Sequence, residues 1–314
     1  MKAPTARPVR VLYIGGLGRS GSTLLDRMLG QLPGFFSAGE VREVWQRGVR
    51  ENRLCGCGTP FRECEVWARV GRAAFGGWDR IDVDEVMKLA RNADRHSCFP
   101  LLLFPQAWPP FAANLRRYVT LLTSLYRAIR DVTESQTIID SSKTPSSAFV
   151  LRQVPDVDLS AVHLIRDSRA VAYRWTKKVR RPDTRGRVVD PHRYAPWRVA
   201  LRWVMRNTMM EILGRTSVPG VRVLHENLVT SPRPELERIL AVLRESVQPE
   251  DLAFVSNAQV VLGTNHTVMG SPLRLVTGPV KLGLDEQWKT AFGRGPRRMV
   301  TALTRPLLRR YGYR

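Results

Sequence analysis

The sequence predicts an α/β fold in which a P-loop-like parallel sheet is flanked by helices. Two observations carry this prediction. An apolar run, Val9–Ile14, leads into a glycine-rich turn and then into a helix-like segment, Leu24–Leu32. Further along the chain, apolar strands alternate with amphipathic helices, and polar residues follow the strands at their C-terminal ends. In sheets of this kind the functional site lies at the carboxyl edge.

The remaining elements follow from apolar periodicity. Residues 112–133 carry apolar side chains at intervals of three and four, which predicts an amphipathic helix packed on the core. The other predicted elements are strands at Thr137–Ile139, Leu159–Ile165 and Val221–Leu224 and helices at Ala170–Lys178 and Pro234–Arg244.

The segment between the first helix and residue 112 lacks a clear period. Residues 35–110 are rich in glycine, proline and tryptophan and are expected to be irregular, and the prolines in Phe99–Phe111 exclude one long helix there. Since the chain shows neither repeats nor a low-complexity linker, we predict a single domain over residues 1–314. Within it, a helical and irregular insertion at about 35–135 is expected to cover the site.

Composition narrows the classes of partner. The 43% hydrophobic content supports a sizeable core, and no apolar run has the length of a membrane span. The basic start, Met1–Arg10, leads into a strand rather than into a leader's apolar segment, so a cytoplasmic location is expected. The formal net charge of +22 favours anionic partners: a nucleotide, an acidic acceptor, nucleic acid or an anionic membrane surface. A genome base composition that favours arginine codons would give the same excess of positive charge without any anionic partner.

Three of the four cysteines are close in sequence. The spacing of Cys55, Cys57 and Cys64 resembles neither paired C-x-x-C zinc ligands nor the disulfide framework of a secreted protein. Packed thiols or one local disulfide are the favoured interpretation, and a metal site of three thiolates is the alternative.

The turn after the first strand has the composition of a phosphate-binding loop. Residues 15–25 read GGLGRSGSTLL, and in such a turn backbone N–H groups and the positive end of the helix converge on an anion. Gly16 and Gly21 keep the spacing of a nucleotide triphosphatase loop. However, Ser22 stands at the lysine position, and Arg19 supplies the cation from inside the loop. The loop therefore predicts an anion other than the γ-phosphate of ATP.

Together, several strand ends resemble the sulfotransferase family, whose members move a sulfuryl group from 3′-phosphoadenosine 5′-phosphosulfate (PAPS) to a hydroxyl or amine. GRSGST at 18–23 is similar to the family's 5′-phosphosulfate loop, LIRDSRAVAYR at 164–174 to its 3′-phosphate motif, and HENL at 225–228 to its acidic strand-end segment. Residues 265–274, with Asp285 and Trp288, resemble the closing segment of many bacterial members. The matches span residues 9–288 and are nearer the protein-tyrosine branch than the phenol-type enzymes.

The resemblance implies how PAPS is bound. Its 5′-phosphosulfate would contact Gly18, Arg19, Ser20, Gly21, Ser22 and Thr23. Arg166 would hold the 3′-phosphate through two N–H donors of its guanidinium. The family usually has serine eight residues after this arginine, where this chain has Arg174, and Ser168 replaces a common proline. Arg174 is therefore expected either to meet the phosphate or to form a structural ion pair.

The resemblance also implies a general base. Glu40, in a Gly-Glu context shortly after the loop's helix, is the predicted base, and Glu43 is its competitor. Burial near Phe35 and Phe36 is expected to raise the pKa of Glu40 toward neutrality. A surface salt bridge is the alternative role. None of the five histidines has the context of a phenol-type histidine base, and, His266 apart, hydrogen-bonded structural roles are expected for them.

Charge on the transferring group is expected to be stabilised by Arg19 and Lys143, because sulfuryl transfer, like phosphoryl transfer, depends on positioning and preorganised charge. No metal is required in this scheme. Arg274 and Lys281 are candidates for covering the adenosine, and the basic run Lys177–Arg206 would cover the cofactor, receive an acidic acceptor or simply be solvated.

The predicted function is therefore PAPS-dependent sulfuryl transfer to an unidentified small-molecule or peptide acceptor. Three alternatives stay open. One is a degenerate sulfotransferase that binds the cofactor without turnover, which Arg174 in place of the usual serine would allow. A P-loop kinase or nucleoside triphosphatase would fit the loop but for the missing lysine. A basic protein that binds nucleic acid or a membrane surface would fit the charge, although no specific nucleic-acid motif is found.

Overall fold

The centre of the protein is a five-stranded, all-parallel sheet with strand order β2-β3-β1-β4-β5. The structure, a computed structural model, describes residues 8–177, 194–246 and 248–314. The sheet strands are β1 Val9–Gly16, β2 Phe35–Gly39, β3 Thr137–Lys143, β4 Val157–Ile165 and β5 Gly220–Leu224, and an antiparallel pair is formed by β6 Gln259–Leu262 and β7 Gly278–Lys281. The predicted fold class is confirmed.

Helices surround the sheet. They are α1 Ser22–Leu29, α2 Glu65–Phe75, α3 Val83–Ala93, α4 Phe99–Leu103, α5 Pro109–Thr133, α6 Pro145–Leu151, α7 Ser168–Thr176, α8 Pro196–Leu213, α9 His225–Thr230, α10 Pro232–Leu243, α11 Gln287–Ala291 and α12 Arg294–Arg310. Every helix and strand predicted from periodicity is present, with ends that move by a few residues.

The expectation that residues 35–110 are irregular is wrong. Phe35–Gly39 is an edge strand of the main sheet, paired with β3, and α2, α3 and α4 follow it. The strand escaped notice because it has five residues, too few to show an alternating pattern. As predicted, prolines break Phe99–Phe111: α4 ends at Leu103, and α5 begins at Pro109.

Side-chain alternation on the central strand separates two cores. Val11 and Tyr13 of β1 face a core that includes tryptophans of the segment after β2, residues 40–108. Leu12 and Ile14 face a core shared with α1 and α10. Burial on both faces is what a central parallel strand requires. A third core joins α7, α8 and α12.

Strand register fixes which loops meet at the carboxyl edge. Gly15 of β1 lies opposite Lys143 of β3, and Gly16 lies opposite Leu164 of β4. The loop after β1 therefore emerges between the ends of β3 and β4. Residues far apart in sequence are brought to one edge by this pairing alone.

Some predictions fall on residues that lie outside the described ranges. These are the basic residues before position 8, the end of the predicted helix at Lys178, and positions 178–193 of the basic run Lys177–Arg206. Within the described ranges, no helix combines the length and apolarity that crossing a bilayer would require.

Candidate functional site

The loop between β1 and α1 forms the middle of the site. Gly21 has φ +93° and sits at the N-terminus of α1, where an added Cβ would lie 2.5 Å from Nδ1 of His225. Glycine is needed there both for the backbone conformation and for the space. Ser20, Ser22 and Thr23 are buried, and Thr23 Oγ1 accepts a hydrogen bond of 3.0 Å from the backbone N–H of Ser271.

Arg19 holds an unfavourable backbone conformation inside this loop. Its φ of +77° is left-handed although it has a side chain. Its carbonyl accepts a 3.2 Å hydrogen bond from Arg166, its guanidinium lies 5.3 Å from the ring centroid of Trp175, and Trp175 donates to the Gly18 carbonyl at 3.3 Å. These contacts fix the loop against α7 and stabilise a conformation that costs about 1–3 kcal/mol on its own.

Arg166 and Arg174 share one carboxylate. Asp285 Oδ2 lies 3.5 Å from Nη2 of Arg166 and accepts a 2.6 Å hydrogen bond from Arg174. Burial raises the pKa of Asp285, but the hydrogen bond and charge of Arg174, with the charge of Arg166, outweigh it and leave that pKa lowered. The ion pair predicted as one role of Arg174 is thus present. Asp285 was noticed in the sequence only as part of a closing segment.

Arg166 is almost fully buried, with 4% of its side chain exposed. Its Nε has no hydrogen-bond partner in the described part of the chain. Burial, and then the charge of Arg174, lower its pKa. A buried guanidinium next to a second arginine favours an anion nearby, because unpaired buried charge is costly.

His225 lies directly beneath Gly21. It is buried, and its Nδ1 has no hydrogen-bond partner among the described residues, so the expectation of a hydrogen-bonded histidine is wrong here. Burial lowers the pKa of His225 to about 3, and the charges of Arg166 and Arg174 act in the same direction. The ring is therefore neutral near pH 7.

Glu40 and Lys143 form an ion pair at the ends of β2 and β3. Both side chains are largely buried, and Lys143 has a left-handed φ of +64°. The ammonium gives the Glu40 carboxylate a cationic partner, in place of the apolar setting that the sequence predicts. The competitor, Glu43, has Oε2 3.4 Å from Nε of Arg47 instead.

Comparison with known proteins identifies the family of this chain. The family model described as "Sulfotransferase family" matches residues 12–249. The chain belongs to the sulfotransferase family. A search of curated proteins gave no match.

A solved sulfotransferase domain shares the fold. The sulfotransferase domain of the Synechococcus PCC 7002 olefin synthase is 21% identical, with a TM-score of 0.54 over 98% of this chain and 97% of that one. The sulfotransferase domain from the curacin biosynthetic pathway is 15% identical, with a TM-score of 0.47 over 98% of this chain and 99% of that chain.

Two buried carboxyl groups, on α1 and β3, join neighbouring elements through hydrogen bonds, and sequence reasoning missed this role. Asp26 of α1 accepts hydrogen bonds from Ser37 (2.8 Å) and Ser141 (3.0 Å), and burial raises its pKa to about 7. Asp140 accepts a 2.6 Å hydrogen bond from Tyr126, and burial raises its pKa to about 6. Asp26 is hydrogen-bonded from β2 and β3, and Asp140 is hydrogen-bonded from α5 as well as by Ser142 of its own strand, so the contacts between elements have no local sequence pattern.

A cavity of about 940 Å³ opens beside Arg166. Its lining is rich in cations from α7, α11, α12 and the C-terminus, including Arg169, Arg298 and Arg314. Arg19, Glu40 and Lys143 do not line it. The cavity therefore adjoins the side of the site where a 3′-phosphate is expected and not the side where transfer is expected.

The two candidates for covering the adenosine lie in different settings. Arg274 is buried, and its Nη1 lies 3.5 Å from the Thr267 carbonyl, whereas Lys281 is exposed on β7. Neither position tests the predicted role.

All four cysteines are free thiols, so of the two interpretations favoured from the sequence the packed thiols are confirmed and the local disulfide is wrong. Cys98 lies apart, with its Sγ 3.5 Å from the Asn92 carbonyl. The other three converge with a histidine that the spacing gave no reason to include.

Proposed function

We propose that this sulfotransferase takes its sulfuryl group from PAPS and transfers it to an acceptor hydroxyl that Glu40 deprotonates. The observation that carries the proposal is the glycine-rich loop backed by buried nitrogen atoms. Arg166 Nε and His225 Nδ1 are both buried and lack hydrogen-bond partners among the described residues. Together with the left-handed Gly21, they fit an anionic phosphate group.

Two sets of residues would bind the two ends of the donor. The loop from Gly18 to Thr23, with Arg19, would hold the 5′-phosphosulfate, because backbone N–H groups at the start of α1 point toward an anion. Arg166, and Arg174 beside it, would hold the 3′-phosphate through charge-assisted hydrogen bonds. Asp285 would be displaced from both arginines or would remain as a competing anion.

The catalytic roles follow from the paired side chains at β2 and β3. PAPS supplies an activated sulfur atom when bound. Glu40 would accept the proton of the acceptor hydroxyl as its oxygen forms the new bond to sulfur, and general-base catalysis of this type contributes about 10²–10⁴-fold. Lys143 would stabilise the transferring group, and Arg19 the phosphate oxygen that keeps the electrons of the broken sulfur–oxygen bond.

The acceptor is a small molecule or a peptide. Arg206 of α8 belongs to the described part of the basic run, and its Nε is buried without a hydrogen-bond partner among the described residues. Burial lowers the pKa of Arg206 to about 10, while the charges of Tyr13 and Glu40 raise it. A cation in this position favours an acceptor that carries negative charge.

Titration calorimetry tests the donor assignment. The purified chain is titrated with 3′-phosphoadenosine 5′-phosphate (PAP), the product form of PAPS, and separately with Mg²⁺-ATP at the same moderate salt concentration. We expect clear preference for PAP, weakened by about 2 kcal/mol in Arg19→Ala, since hydrogen bonds to charged groups contribute roughly 1.5–3 kcal/mol.

Arg238→Ala is the matched control. Arg238 is exposed and pairs with Glu235 on α10, so its loss should leave PAP binding unchanged. Equal affinity for PAP and ATP, or equal losses in both variants, would show that the binding reflects general positive charge and would overturn the proposal.

A further inference from the structure

The segment after β2 contains a cluster of metal-binding side chains outside the proposed donor and acceptor machinery. The Sγ atoms of Cys55, Cys57 and Cys64 and a ring nitrogen of His266 all lie within 4.8 Å of one another. Cys64 Sγ and His266 Nδ1 are 3.2 Å apart although the residues are 202 positions apart in sequence. We propose that these four residues bind a structural Zn²⁺ ion.

The ligand set and its dimensions select zinc. Three thiolates and one imidazole are a standard closed tetrahedral zinc site, and a tetrahedron with Zn–S distances of about 2.3 Å has edges of about 3.8 Å. The observed separations are at most 4.8 Å, and the one between Cys64 Sγ and His266 Nδ1 is 3.2 Å, so side-chain adjustments of about 1 Å would complete the coordination. A disulfide would use two of the thiols and leave the third thiol and the histidine without a role.

The backbone around Cys55 and Cys57 forms a tight turn of the kind that presents two thiolates to one ion. Gly58 N–H donates to the Cys55 carbonyl at 2.9 Å, and Cys55 N–H donates to the Thr59 carbonyl at 2.7 Å. Cys57 Sγ lies 3.1 Å from Thr59 Oγ1, a contact that would orient a metal-bound thiolate. Cys64 caps the N-terminus of α2, where the helix dipole stabilises a thiolate.

His266 is held in place from both sides. Trp67 of α2 donates a 2.7 Å hydrogen bond to the His266 carbonyl. Next to it, Gly56 N–H donates to the Thr267 carbonyl at 3.0 Å, and a Cβ at Gly56 would collide with Asn265. The turn and the histidine segment are therefore in direct backbone contact, which is the preorganisation that a four-ligand site needs.

The proposed ion would join the segment after β2 to residues 263–276. That segment in turn contacts the donor loop and β2: Ser271 donates to Thr23, Val268 donates to the Ala38 carbonyl at 3.0 Å, and Arg27 donates to the carbonyls of Leu273 and Arg274. Because zinc binding to a structural site contributes directly to folding free energy, we expect its loss to loosen this connection.

Metal analysis of the intact chain tests the proposal. The protein is purified without chelators, dialysed, and analysed by inductively coupled plasma mass spectrometry. We expect about one zinc per chain, in line with a single closed four-ligand site. Cys64→Ser and His266→Ala should each lower bound zinc at least about 10-fold. Cys98→Ser should retain it, and so should His266→Cys, which restores a fourth ligand.

Three further measurements do not depend on the variants folding. In the unmodified chain, three thiols should react with a thiol reagent only after a chelator is added, and the melting temperature should fall with the chelator. Chain produced with Co²⁺ should show thiolate-to-cobalt charge-transfer absorption. Absence of stoichiometric metal, a disulfide within the cluster, or copper or iron in place of zinc would overturn the proposal.

Discussion

The donor edge and the cysteine–histidine cluster bring distant residues together by opposite means. The donor edge comprises the loop 18–23 with Arg166 and Arg174, and its residues follow neighbouring parallel strands. The cysteine–histidine cluster, Cys55, Cys57, Cys64 and His266, joins a turn to a segment 202 residues away from Cys64 that belongs to no strand of the main sheet. The pairing of parallel strands brings the residues of the donor edge together. The residues of the cysteine–histidine cluster meet through packing between distant segments, which no local sequence motif predicts.

Glu40 lies outside the donor edge, so a change there should affect the chemical step and leave donor binding intact. Glu40→Gln should lower turnover of PAPS by about 10²–10⁴-fold, because the amide cannot take the acceptor proton, and should leave PAP affinity nearly unchanged. Turnover is measured as PAP release with whichever hydroxyl acceptor supports it, and affinity by calorimetry.

Glu43→Gln is the matched control, since Glu43 forms its ion pair with Arg47, whereas Glu40 forms its ion pair with Lys143. It should keep a rate close to that of the unchanged chain. A Glu40→Gln enzyme with full rate, or a Glu43→Gln enzyme that loses it, would mean that the base has been assigned to the wrong carboxylate.

Away from the donor edge, in the segment after β2, a packing change should alter stability rather than donor affinity. An added Cβ at Gly71 of α2 would lie 2.5 Å from the ring of Trp78, so Gly71→Ala should destabilise the fold by about 1–3 kcal/mol. Gly214→Ala is the control, because its Cβ would find only ordinary contacts. Chemical denaturation measures both. Equal stability of the two variants would show that the aromatic core around Trp78 is loosely packed.

Removing a negative charge beside Arg166 and Arg174 should strengthen PAP binding rather than weaken it. Asp285→Asn removes the carboxylate that pairs with Arg166 and Arg174, so PAP binding should tighten by about 1 kcal/mol, roughly fivefold, through reduced competition for the two cations. Asp158→Asn, an exposed aspartate near the start of β4, should leave affinity unchanged. Weaker PAP binding in Asp285→Asn would show that Asp285 positions the arginines more than it competes with the phosphate.

A further expected effect is on the pH dependence of stability. The pKa of Asp26 is about 7 in the folded chain and near 3.8 ordinarily, so the folded state holds the proton more tightly. The resulting stabilisation is present below pH 3.8 and is lost as pH rises through 7. Asp26→Asn cannot titrate, so it should lose less stability between pH 5 and pH 8 than the unchanged chain. Parallel pH profiles of the free energy of unfolding would contradict this.

The sequence alone was informative where function and topology coincide. The loop at 18–23, Arg166 and Lys143 stand at predicted strand ends, and the all-parallel sheet brings those ends to one edge. Arg174 lies in the predicted helix that follows Arg166. The sequence was uninformative where partners come from unrelated segments. Asp285, His225 and His266 lie in segments that resemble family motifs, but no pattern predicts that they meet two arginines, Gly21 and the cysteines, respectively. The short strand β2 lacks a visible period.

Arg166 is expected to recognise the 3′-phosphate of the donor. The decisive measurement is a calorimetric titration of the unchanged chain and of Arg166→Ala, each with PAP and with AMP. PAP and AMP differ by that phosphate, so the ratio of their dissociation constants measures its contribution. In Arg166→Ala the preference for PAP over AMP should fall roughly 30-fold, which corresponds to about 2 kcal/mol, while AMP binding itself changes little. If the preference for PAP over AMP were the same with and without the arginine, the assignment of the 3′-phosphate site would be contradicted.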